Sequence, residues 1–190
     1  IRFDKKTILV SYHSVTTISK IENIFQFKQV LDALRLYKKL NIIFTSPNID
    51  PGNTDILTMI KKFIKQNKNA YFFKSLGQRL FFSVAKNSNI FIGNSSSGIL
   101  EVPFLNIPVL NIGNRQKGRF QFVKIFNSSP KKEIIIKNIN RILKEKINFL
   151  PFDSNLIKNA SYIITKNIIR KLKNKEYTYM NNKIFNDLKF

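Results

Sequence analysis

The feature that most constrains the fold of this chain is the alternation of short apolar segments with longer segments of helical periodicity. The short segments contain consecutive apolar residues such as Ile42, Ile43 and Phe44, a pattern typical of strands buried on both faces of a sheet. The longer segments repeat apolar residues at spacings of three and four, as amphipathic helices do. The predicted order is strand 7–12, helix 21–39, strand 41–45, helix 55–67, strand 70–75, helix 77–87, strand 89–93, strand 109–112 and helix 131–145. This order predicts an α/β domain built on a Rossmann-like, doubly wound parallel sheet.

The predicted domain covers most of the chain. Residues 1–150 are expected to form one Rossmann-like domain, because no internal repeat and no long linker divides them. Residues 151–173 are expected to contain a C-terminal helix that packs on this domain. Residues 174–190 combine mixed charges with few apolar positions, so a polar tail is expected there. The chain begins without Met and reaches a strand almost at once, which indicates that an N-terminal portion is missing.

The composition argues against several kinds of site. Without cysteine and with a single histidine, the chain has no means to build a disulfide, a thiolate metal site or a His-rich site, so no structural metal is expected. The 33 Lys and Arg against 11 Asp and Glu give a formal net charge of +22, which would suit a nucleic acid. The lysines, however, are scattered over every predicted helix among many Ile, Asn and Phe residues, as AT-rich codon usage produces. We therefore expect no nucleic-acid partner.

The chain also shows no sign of membrane insertion or secretion. No apolar run approaches the roughly 18 to 20 residues that cross a bilayer, and the first residues lack the apolar core of a signal peptide. A cytoplasmic location without membrane contact is therefore expected.

The sharpest candidate site is segment 93–98, with the sequence Gly-Asn-Ser-Ser-Ser-Gly, at the end of a predicted strand. Ligands of parallel α/β sheets bind beyond the carboxyl ends of the strands. The segment opens a predicted apolar helix with Ile99, Leu100 and Val102, whose free N–H groups would bind an anion, and its glycines would let a phosphate approach closely. Glu101 lies one turn deeper and suits a ribose diol. The alternative is that a serine merely caps the helix and Glu101 complements the helix dipole.

Three further strand ends carry candidate residues. Segment 111–119 contains Arg115 between two glycines and Arg119 directly after the second glycine, and guanidinium groups suit a diphosphate, although a solvated loop would look similar. Segment 46–52 has the Asn, Asp, Pro and Gly composition of a turn. His13 ends the first strand, where its imidazole could contact phosphate or donate a proton, although a lone histidine is more often structural.

In order and spacing, these junctions resemble the hydrolysing UDP-N-acetylglucosamine 2-epimerases of bacterial sialic and legionaminic acid pathways, over residues 7–145. The segments that carry the resemblance are 13–16, 46–50, 93–101 and 111–119. One departure is Ser14, where the family usually has proline. The resemblance implies the C-terminal half of a GT-B-like enzyme of two Rossmann-like domains, which lacks its N-terminal half here, forms a homodimer when complete and requires neither metal nor nicotinamide.

The resemblance also implies roles for individual residues. The UDP-sugar would be bound by Asn48, Asp50, Ser95, Ser96, Ser97, Glu101 and Arg115. Ser95 and Ser96 would bind the diphosphate and Glu101 the ribose, while His13 and Arg115 would stabilise the departing UDP. The implied reaction is elimination of UDP to a 2-acetamidoglycal, followed by addition of water with inversion at C2 to give N-acetylmannosamine or a diacetylated counterpart. The acid and base carboxylates would come from the other half, so this chain alone is expected to be inactive.

Two other interpretations are left open by the sequence. The donor-binding domain of a GT-B glycosyltransferase also binds nucleotide sugars at a helix start with a ribose-binding Glu, but it passes the sugar to an acceptor. A non-catalytic remnant that binds UDP would show the same segments. Neither the choice of UDP-sugar nor the oligomeric state follows from the residues themselves.

Overall fold

The computed structural model describes residues 3–119, 121, 125–145 and 159–174, and all structural statements refer to these residues. Its strands are β1 (Thr7–Ser11), β2 (Asn41–Thr45), β3 (Ala70–Phe73), β4 (Ile90–Gly93), β5 (Val109–Ile112) and β6 (Ile125–Ser128). They form one sheet in the order β3-β2-β1-β4-β5-β6, and every pair of neighbours is parallel. The predicted Rossmann-like, doubly wound parallel sheet is therefore confirmed.

Each strand is followed by a helix except β5, which β6 follows without a described helix between them. The helices are α1 (Lys20–Leu34), α2 (Asn53–Gln66), α3 (Gly77–Lys86), α4 (Ser97–Leu100), α5 (Lys132–Lys144) and α6 (Ala160–Lys173), with a 3-10 helix at Val102–Leu105. None of the helices in the described ranges is both long and apolar enough to span a bilayer.

The chain divides into two compact units, Ile1–Leu150 and Pro151–Phe190. The described part of the second unit is α6 with one residue on each side, and the side chains of residues 161–174 are exposed. The helix expected within 151–173 is observed over Ala160–Lys173. Its packing on the domain stays a prediction, and the polar tail lies outside the described residues from 175 onward.

Alternating side chains of the central strands build one apolar layer on each face of the sheet. On one face, Ile8 and Val10 of β1 join a larger core with α1, α2 and α5. On the other face, Leu9 packs with Phe91 of β4 in a smaller core that includes residues of α3 and the 3-10 helix. Both faces of the sheet are thus covered, as the continuous apolar triplets predicted.

The sheet reverses its direction of growth between β1 and β4. From β1 the chain adds β2 and β3 on one side, then returns to place β4, β5 and β6 on the other. The switch point of the sheet therefore lies between β1 and β4, and ligands of open α/β sheets bind at the carboxyl edge beside this point. Ser11 and Gly93, paired at the ends of these two strands, mark its position.

Two elements differ from the sequence prediction near the edges of the fold. The edge strand β6 was not predicted, because it is short and only half-buried, with exposed Asn127 in it, and so lacks the buried triplet of the central strands. Helix α1 ends at Leu34 and not at 39, and Tyr37 lies in the turns that follow. The side chain of Asn69 holds those turns by donating hydrogen bonds to the carbonyl groups of Tyr37 (3.0 Å) and Leu40 (2.6 Å).

Helix α4 is also shorter than predicted. The sequence predicts one apolar helix containing Ile99, Leu100 and Val102, but α4 ends at Leu100 and a separate 3-10 helix follows. Pro103 has no N–H to continue the helical hydrogen bonds and disfavours helical backbone in the residue before it. As a result Ile99 and Val102 are buried, while the side chain of Leu100 is half exposed.

Candidate functional site

The loop that follows β1 is held by two buried asparagine side chains. Asn94, which follows β4, accepts a hydrogen bond from the His13 N–H (2.7 Å) and donates one to the His13 carbonyl group (2.8 Å). Asn23, on α1, makes the same two bonds with Val15, at 2.7 and 2.9 Å. Each side-chain amide thus satisfies both backbone groups of one loop residue, as a neighbouring strand would. The backbone at 13–15 is fixed although it belongs to no strand.

His13 is buried and is oriented by a backbone group of the third junction. The N–H of Asn48 donates a hydrogen bond to Nδ1 of His13 (3.0 Å), so Nδ1 is unprotonated and the neutral ring carries its hydrogen on Nε2. Burial lowers the pKa of His13 to about 4; Arg115 acts in the same direction and Asp50 against it. At neutral pH the imidazole is therefore a hydrogen-bond donor through Nε2 and not a cation.

Arg115 and Gln116 reach this region from the loop after β5. Both donate to the backbone carbonyl group of Asn94, Arg115 through Nη1 at 3.2 Å and Gln116 through Nε2 at 2.7 Å. The second terminal nitrogen of Arg115 lies 3.6 Å from a carboxylate oxygen of Asp50. Further N–H groups of the guanidinium remain for a ligand. We call His13, Asp50, Asn94, Arg115 and Gln116 the His13 cluster.

Two buried polar atoms in this region have no hydrogen-bond partner in the described part of the chain. They are Oγ of Ser14 and Oε1 of Gln116. Because buried polar groups are nearly always hydrogen-bonded, each marks a place for a water or ligand atom. The sequence did not indicate Gln116 or Asn94 as site residues. The available signal was that they belong to the candidate segments 111–119 and 93–98, which were chosen for other residues.

The three serines of segment 93–98 lie beside the His13 cluster at the start of the one-turn helix α4. Ser95 is buried, and its Oγ accepts a hydrogen bond from the Ser97 N–H at 3.3 Å. Ser96 precedes the helix without a capping bond from its side chain. Within the described ranges, the N–H groups of Ser95 and Ser96 donate to no acceptor. Because α4 is so short, an anion here would be bound by individual N–H and hydroxyl groups more than by a helix dipole.

The glycines of this segment have a packing role that differs from the close phosphate approach expected from the sequence. Gly93 has a φ of 146°, and an added Cβ would collide with the backbone carbonyl oxygen of Ser11. An added Cβ at Gly98 would lie 2.7 Å from the ring of Phe91 and 3.2 Å from Val109. Both glycines therefore allow the segment to lie directly against the sheet.

Glu101 forms no ion pair with the His13 cluster within the described residues. It is exposed at the end of α4 and lines an open pocket of about 310 Å³ beyond the carboxyl ends of β2 and β3. The other lining residues are Thr45, Ser46, Lys74, Ser75, Leu76, Gly77, Gln78, Phe81 and Phe82. We call this cavity the Glu101 pocket. The junction after β3 was not singled out from the sequence, although two adjacent aromatic residues in α3 were a usable signal.

The structure thus brings together residues from all four predicted junctions. Some of them form one cluster, and others lie next to it. His13, Asp50 and Arg115 form one cluster with Asn94, and Asn48 contributes its backbone N–H while its side chain is exposed. Ser95, Ser96 and Ser97 adjoin this cluster through Asn94. No group of three or more His, Asp or Glu side chains in the described ranges is placed to hold a metal ion.

Two proteins are similar in sequence to the region of the chain that contains these residues. The chain is 36% identical over 128 residues, or 67% of its length, to the GDP/UDP-N,N'-diacetylbacillosamine 2-epimerase (hydrolyzing) of Campylobacter jejuni, of which the match covers 33%. It is 34% identical over 181 residues, or 91% of its length, to the polysialic acid biosynthesis protein P7 of Escherichia coli, of which the match covers 45%. The chain thus spans a third to just under half of these relatives.

A solved structure and a family model complete the comparison. The crystal structure of UDP-GlcNAc 2-epimerase from Neisseria meningitidis bound to UDP-GlcNAc superposes with a TM-score of 0.58, covering 90% of this chain and 45% of that one, at 17% identity. At that identity the likeness shows the fold alone. The model of the UDP-N-acetylglucosamine 2-epimerase family matches residues 2–165, which include the His13 cluster, the three serines and the Glu101 pocket. The chain therefore belongs to the UDP-N-acetylglucosamine 2-epimerase family.

Proposed function

We propose that this chain is the UDP-binding half of a hydrolysing UDP-sugar 2-epimerase. The observation that carries the proposal is the convergence of donors at the switch between β1 and β4, where Arg115, His13 and the serines after β4 adjoin Asn94. A nucleoside diphosphate is a leaving group that needs such donors more than it needs a nucleophile.

The two parts of the site, the His13 cluster with the adjoining serines and the Glu101 pocket, are proposed to bind different parts of the nucleotide. In the proposed arrangement the diphosphate is bound by Ser95, Ser96 and Ser97 and by the guanidinium of Arg115, which can form charge-assisted hydrogen bonds with phosphate oxygens. The Glu101 carboxylate accepts hydrogen bonds from the ribose hydroxyl groups. The Glu101 pocket is at the lower end of the usual size range of small-ligand sites, roughly 300 to 1,000 Å³, and the rings of Phe81 and Phe82 in its wall suit a planar base.

The sugar end of the ligand would face the His13 cluster. Elimination breaks the bond between C1 of the sugar and the diphosphate oxygen while a base removes the proton at C2. Arg115 and the neutral Nε2–H of His13 then stabilise the negative charge that develops on UDP, in a site where low exposure strengthens each hydrogen bond. Asn48 and Asp50 line the cleft on the sugar side. Water then adds to the resulting glycal at C1, with protonation at C2 on the opposite face, which inverts C2.

The acid and the base for these steps are proposed to come from a second Rossmann-like half that precedes this chain. Apart from Phe3, Leu36 and residues of α6, the exposed large apolar side chains of the described residues lie on segments that follow the carboxyl ends of the strands, namely Ile21, Phe25, Ile49, Leu80, Leu100 and Ile134. Ile49 is 95% exposed and Ile21 is 81% exposed. Such apolar surface around a site favours coverage by another folded domain. The named relatives are more than twice as long as the region matched here.

The complete protein would then be a cytoplasmic homodimer of two-domain subunits that works without a metal or nicotinamide cofactor. Its product would be N-acetylmannosamine or a diacetylated dideoxy counterpart, for sialic or legionaminic acid synthesis. The 190-residue chain alone is expected to bind UDP but not to turn over UDP-sugars, because it would lack the proposed acid and base.

The deciding experiment measures release of free UDP from UDP-N-acetylglucosamine and from UDP-N,N'-diacetylbacillosamine, without any acceptor. The protein is this chain joined to the coding sequence that precedes it. Release of UDP together with a 2-epimerised free sugar supports the proposal and identifies the substrate. UDP release that depends on an acceptor would favour the glycosyltransferase, and binding of UDP without release of it from either sugar would favour a non-catalytic remnant.

A further inference from the structure

We propose that Asn94 is the positioning residue that holds His13 and Arg115 in register with each other. Its side chain fixes the backbone of His13 on the β1 side, and its own carbonyl group binds Arg115 and Gln116 from the β5 side. The identity of the ligand that these groups would face rests on the proposed function. The hydrogen bonds that position them do not.

The backbone N–H, the backbone carbonyl group and the side-chain amide of Asn94 all form hydrogen bonds. Its backbone N–H donates to the Ser11 carbonyl group at 3.2 Å, its side chain makes the two bonds with His13, and its carbonyl group accepts from both Arg115 and Gln116. The residue is fully buried. Since β4 lies between β1 and β5 in the sheet, Asn94 is the point through which the loops after those two strands are connected.

The chemistry at this position calls for a primary amide. A side chain that satisfies both the N–H and the carbonyl group of one residue must offer an acceptor and a donor at the same distance from the backbone. Aspartate keeps the acceptor but presents a second oxygen to the His13 carbonyl group, and alanine leaves both backbone groups of His13 buried and unpaired.

Asn23 is a matched control that the fold itself provides. It makes the same pair of bonds with Val15, two residues further along the same loop. It is buried like Asn94, but its hydrogen bonds all go to the backbone of the loop at 15–19. If Asn94 only supported the loop, removal of either side chain would have the same consequences.

The single histidine of the 190-residue chain makes the effect on the site directly measurable. In protein labelled with ¹⁵N-histidine, the two ring nitrogens report tautomer and protonation without assignment of other signals. The wild type is expected to show unprotonated Nδ1 and protonated Nε2 at pH 7, as the bond from Asn48 requires. In Asn94→Ala the His13 ring is expected to populate both tautomers and to titrate closer to the ordinary histidine range. Asn23→Ala is expected to lower Tm by a similar amount but to keep the wild-type histidine spectrum.

Binding of UDP provides the second readout. Calorimetric affinity for UDP is expected to fall about tenfold in Asn94→Ala, the effect of losing roughly one well-placed hydrogen bond, and less than about threefold in Asn23→Ala. A wild-type chain that binds no UDP would refute the proposed function but leave the histidine spectra to decide the role of Asn94.

Unchanged His13 signals in Asn94→Ala, or equal changes in Asn23→Ala, would overturn the positioning role. If Asn94→Ala does not fold, Asn94→Asp replaces it, because it preserves size and the acceptor for the His13 N–H. Its carboxylate would join Asp50 in favouring the imidazolium against Arg115, so the His13 titration is expected to move to higher pH, and an unmoved titration would equally overturn the proposal.

Discussion

The two parts of the candidate site are built in opposite ways. The His13 cluster is largely buried, and its polar groups are fixed by hydrogen bonds between strand ends, such as those of Asn94 with His13, Arg115 and Gln116. The Glu101 pocket is open, and within the described part of the chain the carboxylate of Glu101 has no hydrogen-bond or ion-pair partner. The His13 cluster is oriented before a ligand arrives and leaves only a few groups for it, such as Oε1 of Gln116, whereas the Glu101 carboxylate would gain its partners from a ligand.

This difference matches the division of labour in the proposed reaction. Groups that stabilise charge in a transition state act best when they are already oriented, because no reorganisation is needed during the reaction. Groups that only hold a nucleoside can be exposed and become ordered on binding. The following predictions test this contrast, from the largest expected effect to the smallest.

The backbone glycines should show the contrast most strongly. Gly93→Ala, at the base of the His13 cluster, is expected to cost more than about 4 kcal/mol of unfolding free energy, because the added Cβ would collide with the Ser11 carbonyl group. Gly77→Ala, in the wall of the Glu101 pocket, has a φ of 61° and no atom within 4 Å of the added Cβ, so only the left-handed backbone penalty of about 1 to 2 kcal/mol applies. Denaturant unfolding measures both values, and similar losses would contradict the contrast.

Acid should weaken the His13 cluster specifically. Since the pKa of His13 is lowered to about 4 in the folded protein, the unfolded chain takes up a proton below pH 6.5 while the folded chain does not. The contribution of neutral His13 to the unfolding free energy is therefore fully present above pH 6.5. It is lost as the pH falls toward 4, which lowers the unfolding free energy by up to about 3 kcal/mol.

The variant His13→Asn isolates that contribution, since it has no titratable group and offers an acceptor to the Asn48 N–H. The unfolding free energies of wild type and variant are measured at pH 7.5 and 4.5. The loss of unfolding free energy between these two pH values should be larger in the wild type than in His13→Asn by roughly this amount. Parallel pH dependences would show that His13 is not held neutral by its surroundings.

Removal of the arginine in the cluster should weaken nucleotide binding more than removal of its neighbour. Arg115→Ala is expected to lower UDP affinity by about 1.5 to 3 kcal/mol, the range for hydrogen bonds to a charged group. Arg119→Ala, in the same loop but exposed, serves as the control and should change affinity little. Isothermal titration with UDP distinguishes them, and equal effects would mean that the loop attracts UDP only by its net charge.

The smallest effects are expected in the open part. Glu101→Ala should weaken UDP binding by about 1 to 2 kcal/mol, because the ribose hydroxyl groups lose their acceptor, and Ser96→Ala by less. Glu133→Ala, an exposed carboxylate in the first turn of α5, is the control for loss of a negative charge. UDP affinity that is unchanged in both Glu101→Ala and Ser96→Ala would refute the assignment of these residues.

The sequence by itself determined five of the six strands of the sheet and the regions that carry the candidate residues. Continuous apolar triplets such as Ile42, Ile43 and Phe44 indicate buried parallel strands, because such strands face a core on both sides. Polar segments directly after those strands indicated a site at the carboxyl edge. The motifs in these segments carried the family resemblance, because motif order along a chain is a property of sequence alone.

The tertiary structure decided how the residues combine. The edge strand β6, the single turn of α4 and the position of Glu101 in a pocket with residues after β2 and β3 all depend on neighbours that local periodicity does not encode. The role of Asn94 is the clearest case, since its partner His13 is 81 positions away in the chain and Arg115 is 21 positions away. Periodicity reports which face of an element is buried, whereas hydrogen bonds between distant segments form only when the fold brings those segments within bonding distance.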